Sequence, residues 1–121
     1  MKQFYEAVGG SYEAAAKTSH DEAKMAERLL EFSRDMTYPR IRDYAARQEF
    51  KAMRIEISAL CSVSKYLGLS GIAGCCEKIA EGYAYKADFC VSDLFKERMA
   101  ELDTEYRKVQ EGILLLSPEK N

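Results

Sequence analysis

Apolar residues recur along this chain at intervals of three and four, and no stretch sustains strict alternation; the pattern predicts helices and no sheet. A short first helix is predicted over Lys2 to Val8, stopped by Gly9-Gly10, and Ser11 is placed to cap a second through Lys17. Ser19-His20-Asp21-Glu22 has the form of a capping box. It predicts a helix from about His20 to Ser33, on which Met25, Leu29, Phe32 and Met36 repeat at helical spacing. Tyr38-Pro39 starts another, because proline suits the first helical turn.

Whether Pro39 to Leu67 forms one helix or two is left open by the residues, because Arg47-Gln48-Glu49 contains no glycine or proline. The helical stretch from about Gln48 to Leu67 sets Phe50, Met53, Ile57, Leu60, Ser64 and Leu67 on one face. Ile55, Ala59, Val63 and Tyr66 make a second apolar stripe, so more than half of its circumference is expected to be buried in the middle of a bundle. Gly68 closes it, and Ser70 or Gly71 opens the next helix, marked by Ile72, Cys76, Ile79 and Tyr83. Asp88 is the expected cap of a long last helix whose buried side carries Val91, Phe95, Met99, Leu102, Tyr106, Val109 and Ile113. Together these elements predict an all-α fold: an antiparallel four-helix bundle with short additional N-terminal helices, residues 1–121 forming one domain and 117–121 a frayed tail.

Composition narrows the partners. With 47% hydrophobic and 31% charged residues the chain reads as globular, and a net charge of −2 gives no global reason to expect nucleic acid. The longest apolar run, Ile113 to Leu116, is far too short to span a bilayer, and the N-terminus turns acidic at once, so a cytoplasmic protein is expected. Cys61, Cys75, Cys76 and Cys90 form no CxxC pair and no zinc spacing; they read as reduced, small hydrophobes, with no metal and no cofactor expected.

Residues 58 to 68 read Ser-Ala-Leu-Cys-Ser-Val-Ser-Lys-Tyr-Leu-Gly. The segment resembles the signature of histidine phosphotransfer (HPt) domains, His-x-Leu-Lys-Gly-x-Ser-x-x-Leu-Gly. Leu60, Ser64, Leu67 and Gly68 fit, whereas Ser58, Cys61 and Ser62 stand where the family has His, Lys and Gly. Farther on, Ile72, Cys76 and Ile79 occupy places that hold leucine, cysteine and leucine in the family. Phe4 to Tyr12 and Phe32 to Tyr38 look like the opening and first helix end of stand-alone bacterial HPt proteins. The resemblance implies a phosphorelay scaffold of a two-component system, with a response-regulator receiver domain or a histidine kinase as partner. It also implies a break or kink near Arg47, where many HPt domains have a Gly-Asp turn before the motif helix.

Angular placement puts Lys51, Arg54, Ser58, Cys61, Ser62 and Lys65 in one stripe, the face by which the family would dock its partner. Phosphotransfer needs an exposed imidazole, and a serine hydroxyl without a base is a poor nucleophile that forms a stable ester. No enzyme activity is expected. Cys61 offers a softer nucleophile if Arg54 and Lys65 lower its pKa; the other reading is a half-buried thiol at the edge of the core. His20, the lone histidine, reads as an exposed first-turn residue. Two functions follow: a degenerate HPt-like module that binds a receiver or kinase through the Ser58 face without carrying phosphate, or a helical scaffold or oligomerisation protein that kept the fold and lost that contact. Exposure of Ser58 favours the first.

Overall fold

The computed structural model describes residues 1–19 and 21–116, and among them every regular element is helical. In order these are α1 (Lys2–Val8), α2 (Tyr12–Thr18), α3 (Glu22–Arg34), α4 (Thr37–Ala46), α5 (Phe50–Tyr66), α6 (Ser70–Tyr85), a 3₁₀ turn (Phe89–Val91) and α7 (Asp93–Leu116). The arrangement is bundle-like. α5 packs between α4 and α6, α7 lies against α6, and α1 and α3 both pack on α7. No helix among the described residues is long and apolar enough to cross a membrane.

One backbone device ends three of the helices. The amide of residue 10 bonds to the carbonyl of Tyr5, that of Glu49 to Tyr44 and that of Leu69 to Ser64, each at 2.8 Å and each closing the 6→1 loop of a Schellman motif. The pivot in each is a left-handed residue: Gly9 at φ 68°, Gln48 at φ 59° and Gly68 at φ 75°. The break expected near Arg47 is therefore a true helix end, built on a glutamine in backbone space that glycine occupies more cheaply. At Gly68 the requirement is also steric, since a Cβ there would lie 2.4 Å from the Ser11 carbonyl oxygen.

The N-terminal segment fastens the other side of that same turn. The buried Tyr5 hydroxyl donates to the Leu67 carbonyl at 2.7 Å, and the Ser11 amide donates to the Gly68 carbonyl at 2.8 Å. Ser11 also caps α2 through its side chain, as expected, accepting from the Ala14 amide at 3.1 Å. Carbonyls at the end of α5 that would otherwise face a poorly hydrated gap are thus satisfied by α1 and α2.

Two helix starts and one apolar position differ from the sequence reading. Ser19 ends α2 in extended backbone, and Asp21 caps α3 by accepting from the Ala23 amide at 2.9 Å; His20 lies outside the described residues. Asp88 precedes only the 3₁₀ turn. The cap of α7 is Ser92, whose hydroxyl accepts from the Phe95 amide at 3.2 Å, which leaves Val91 outside the helix and exposed. Met36, placed on the apolar side of α3 by spacing, falls beyond its end at Arg34 and is 57% exposed. The expected tail, 117–121, also lies outside the described residues.

The largest correction concerns α5. Its first stripe is buried as expected, with Met53, Ile57, Leu60, Ser64 and Leu67 in the core and Phe50 half-buried against it. The second is not. Ile55 is 65% exposed, Tyr66 46% and Val63 38%, and Ala59 is exposed between them. Helical spacing reports which residues share a face, but whether that face meets a neighbour depends on how many helices surround it. Around α5, α4 and α6 flank the buried side, and α2 touches only the far end.

Candidate functional site

Ser58 stands near the middle of α5 with its side chain exposed, opposite the buried row that includes Leu60 and Ser64. Ser62, one turn on, is exposed as well, and Lys51 lies nearly two turns before Ser58 on the same side. The six residues of the predicted stripe are therefore brought onto one flank of α5, although they differ in environment.

Arg54 is half-buried and lies over the ring of Tyr83 from α6, with its guanidinium carbon 4.5 Å from the ring centroid. Its Nε is buried with no hydrogen-bond partner among the described residues. Tyr83 also neighbours Ser58: burial pushes the phenol pKa up, while the Arg54 charge and the Ser58 hydroxyl act the other way. Lys65 is engaged, its ammonium 2.7 Å from the Glu77 carboxylate of α6, which raises the lysine pKa. The stripe is thus less cationic than the sequence suggested, because α6 supplies a counter-charge to one of its three cations.

Cys61 faces α6, half-buried, with its sulfur 3.9 Å from the Ala73 carbonyl oxygen. Burial raises its pKa, with Lys65 opposing and Glu77 reinforcing the shift. Of the two sequence readings, activation by Arg54 and Lys65 is the one this environment disfavours. Cys61 is instead the half-buried thiol at the core edge. All four cysteines are free; Cys76 is buried, its pKa pushed up to about 12, and Cys75 is half-buried on a diverging side of α6. Among the described residues, no group of three or more His, Cys, Asp or Glu is placed to hold a metal ion.

No family model, curated protein or solved structure matches this chain. The site therefore has to be judged on its own geometry.

Two features of that geometry differ from the sequence reading, the first in being exposed where burial was expected and the second in having no counterpart there. The first is the exposed stripe Ile55, Ala59, Val63 and Tyr66, which borders Ser58 and Ser62 and runs into a groove of about 450 Å³ between α3 and α5. Phe32, Ala59, Val63 and Leu67 supply the groove's apolar wall. The second is Arg28 of α3, which lies over Tyr66 at 5.5 Å and, like Arg54, keeps a buried nitrogen, Nη1, without a partner among the described residues. Only tertiary packing joins Arg28 to Tyr66 and Arg54 to Tyr83. Neither pair has a sequence signal, since the partners lie on different helices. Chemically, the face offers two hydroxyls, cations and apolar surface.

Proposed function

We propose that this chain is an HPt-like signalling module that binds a receiver or histidine-kinase domain through the face centred on Ser58, without carrying phosphate. On this reading α4, α5, α6 and α7 correspond to the four antiparallel helices of the family, with α1 to α3 laid over one end, and the protein works in the cytoplasm. The observation that carries the proposal is the position of Ser58: exposed at mid-helix, with Leu60, Ser64 and Leu67 of the same motif buried behind it and Gly68 in the left-handed turn that ends the helix.

The face retains the means to bind and lacks the means to transfer. A serine hydroxyl without a neighbouring base does not form a labile phosphoryl adduct, and the one nearby thiol is shifted away from the thiolate. Binding without transfer would compete with active HPt domains for a receiver. The test is competition: the chain, added to a receiver and an active HPt domain, should lower phosphotransfer between them in proportion to its concentration while remaining unlabelled itself. Transfer unaffected across a panel of receivers and kinases would end the proposal.

The exposed Ile55, Val63 and Tyr66 also support the alternative, a scaffold that self-associates through α5. Sedimentation equilibrium separates the two, because a Val63→Asp variant would dissociate an α5-mediated oligomer.

A further inference from the structure

We infer that α5 takes a second copy of itself as partner: the exposed row Ile55, Ala59, Ser62 and Tyr66 packs antiparallel on the same row of another chain, about a two-fold axis between Ala59 and Ser62. The inference rests on the second reading above, self-association through α5, and gives it an orientation. It does not depend on a receiver or a kinase.

All four residues are exposed, and spacings of four, three and four keep them within about 60° of one another around the helix. That is the spacing of a two-helix seam. None of the four is charged. The charged residues of α5 at this level stand on its flanks, which their partners identify. Glu56, with Val63 beside it, lies towards α4, where Arg40 holds it at 3.0 Å; Lys65, with Ser58 on the same side, lies towards α6, where Glu77 holds it at 2.7 Å.

The row reads large, small, small, large, and its reversal reads the same. Antiparallel pairing sets Ile55 against Tyr66 of the second copy at both ends and Ala59 against its Ser62 at the centre, where small side chains let the two backbones approach. The two-fold brings like flanks together, so Glu56 meets Val63 and Lys65 meets Ser58, and no like charges are opposed. Arg28 lies over Tyr66 on the α4 flank without a salt bridge among the described residues, and it comes level with Glu56 of the second copy. Glu31 and Asp35 line the groove beside Arg28 but make no salt bridge with it, and Asp35 is engaged with the Thr37 amide at 2.8 Å. A parallel pair would give Glu56 to Lys51 but set Arg28 beside Lys65. Ser58 stands on the rim of the antiparallel pair, so a receiver seated there takes the place of the second copy. A single helix pair of about three turns covers less than a standard interface, so the association is weak and rises with concentration.

Sedimentation equilibrium of the whole chain, from the micromolar range to about 1 mM, should show the mass climbing from monomer towards dimer. Ala59→Arg, which sets two cations at the close-packed centre, should leave a monomer, whereas Lys96→Gln on α7 leaves the association unchanged; circular dichroism confirms that both variants are folded. Orientation is read by cross-linking an Ile55→Cys variant to a Tyr66→Cys variant with a short bismaleimide. The mixture should yield a cross-linked dimer, because a mixed pair keeps the native Ile55 and Tyr66 contact at its other end. Each variant alone should stay at the background set by the four free cysteines of the native chain. A monomer at about 1 mM would overturn the inference and the second reading together, leaving receiver competition untouched. Self-association in which each variant cross-links to itself would overturn the inference and leave the second reading standing.

Discussion

The two apolar stripes of α5 have the same periodicity and opposite fates. Met53, Ile57, Leu60 and Ser64 are sealed between α4 and α6, while Ile55, Ala59, Val63 and Tyr66 run along solvent less than half a turn away. A core stripe is explained by the burial of its own side chains. An exposed one of similar length has no such account within the chain, which makes it the part of α5 that function must explain. The distinction predicts that the two stripes respond to mutation in different currencies, stability for one and association for the other.

The sharpest contrast comes from Leu60→Ala. Leu60 is 1% exposed, so its truncation removes transfer energy and leaves a cavity, with an expected loss of about 2–5 kcal/mol in denaturant unfolding. A loss well below 1 kcal/mol would mean that the two stripes are not distinguished by burial at all.

Gly68→Ala attacks the junction that holds the buried stripe to the N-terminal segment. The left-handed backbone alone costs a Cβ-bearing residue about 1–2 kcal/mol. The clash with the Ser11 carbonyl adds to this, so chemical denaturation should show a loss of at least that size. Hydrogen exchange at the Ser11 amide, bonded to the Gly68 carbonyl, should rise with it. At the opposite end of α5 the sign reverses. Gln48 occupies the same left-handed position in the same motif, so Gln48→Gly should stabilise by up to about 1 kcal/mol, checked by the unfolding midpoint. Two equivalent turns thus give opposite responses because only one already has the residue its backbone favours.

These turns also show where the sequence was readable. Gly9-Gly10 and Gly68 announce helix ends through residue type, and α1 ends at the predicted Val8. The end at Ala46 has no such marker; Gln48 adopts φ 59° where the Glu49 amide bonds to the Tyr44 carbonyl, a local backbone closure that its residue type does not announce. Start signals were ambiguous for a related reason. Ser19 and Asp21, or Asp88 and Ser92, are all competent caps, and packing selects one of each pair. For the candidate site, the exposed position of Ser58 followed from angular placement on one helix. The pairing of Lys65 with Glu77, and the seating of Arg54 on Tyr83 and Arg28 on Tyr66, required knowing which helices meet.

Converting the exposed flank towards the phosphotransfer pattern should be milder. Ser58→His, Cys61→Lys and Ser62→Gly together touch two exposed residues and one half-buried thiol, and the glycine accounts for about 1 kcal/mol of helix stability. Thermal unfolding should remain cooperative. If the face fits a receiver, the triple variant gains acid-labile, base-stable label from a phosphorylated one.

The smallest expected effect is the most informative about the exposed stripe. Ile55→Ser exchanges two residues of similar helix propensity at a site that is 65% exposed, so unfolding should shift by no more than about 0.5 kcal/mol. Yet Ile55 lies between Lys51 and Ser58 at the edge of the proposed docking face, where removing an apolar contact weakens association without weakening the fold. Unchanged unfolding together with reduced receiver binding would place the stripe on the functional side of the comparison. A stability loss approaching that of Leu60→Ala would instead mean that Ile55 is packed in solution, and the second stripe would rejoin the core.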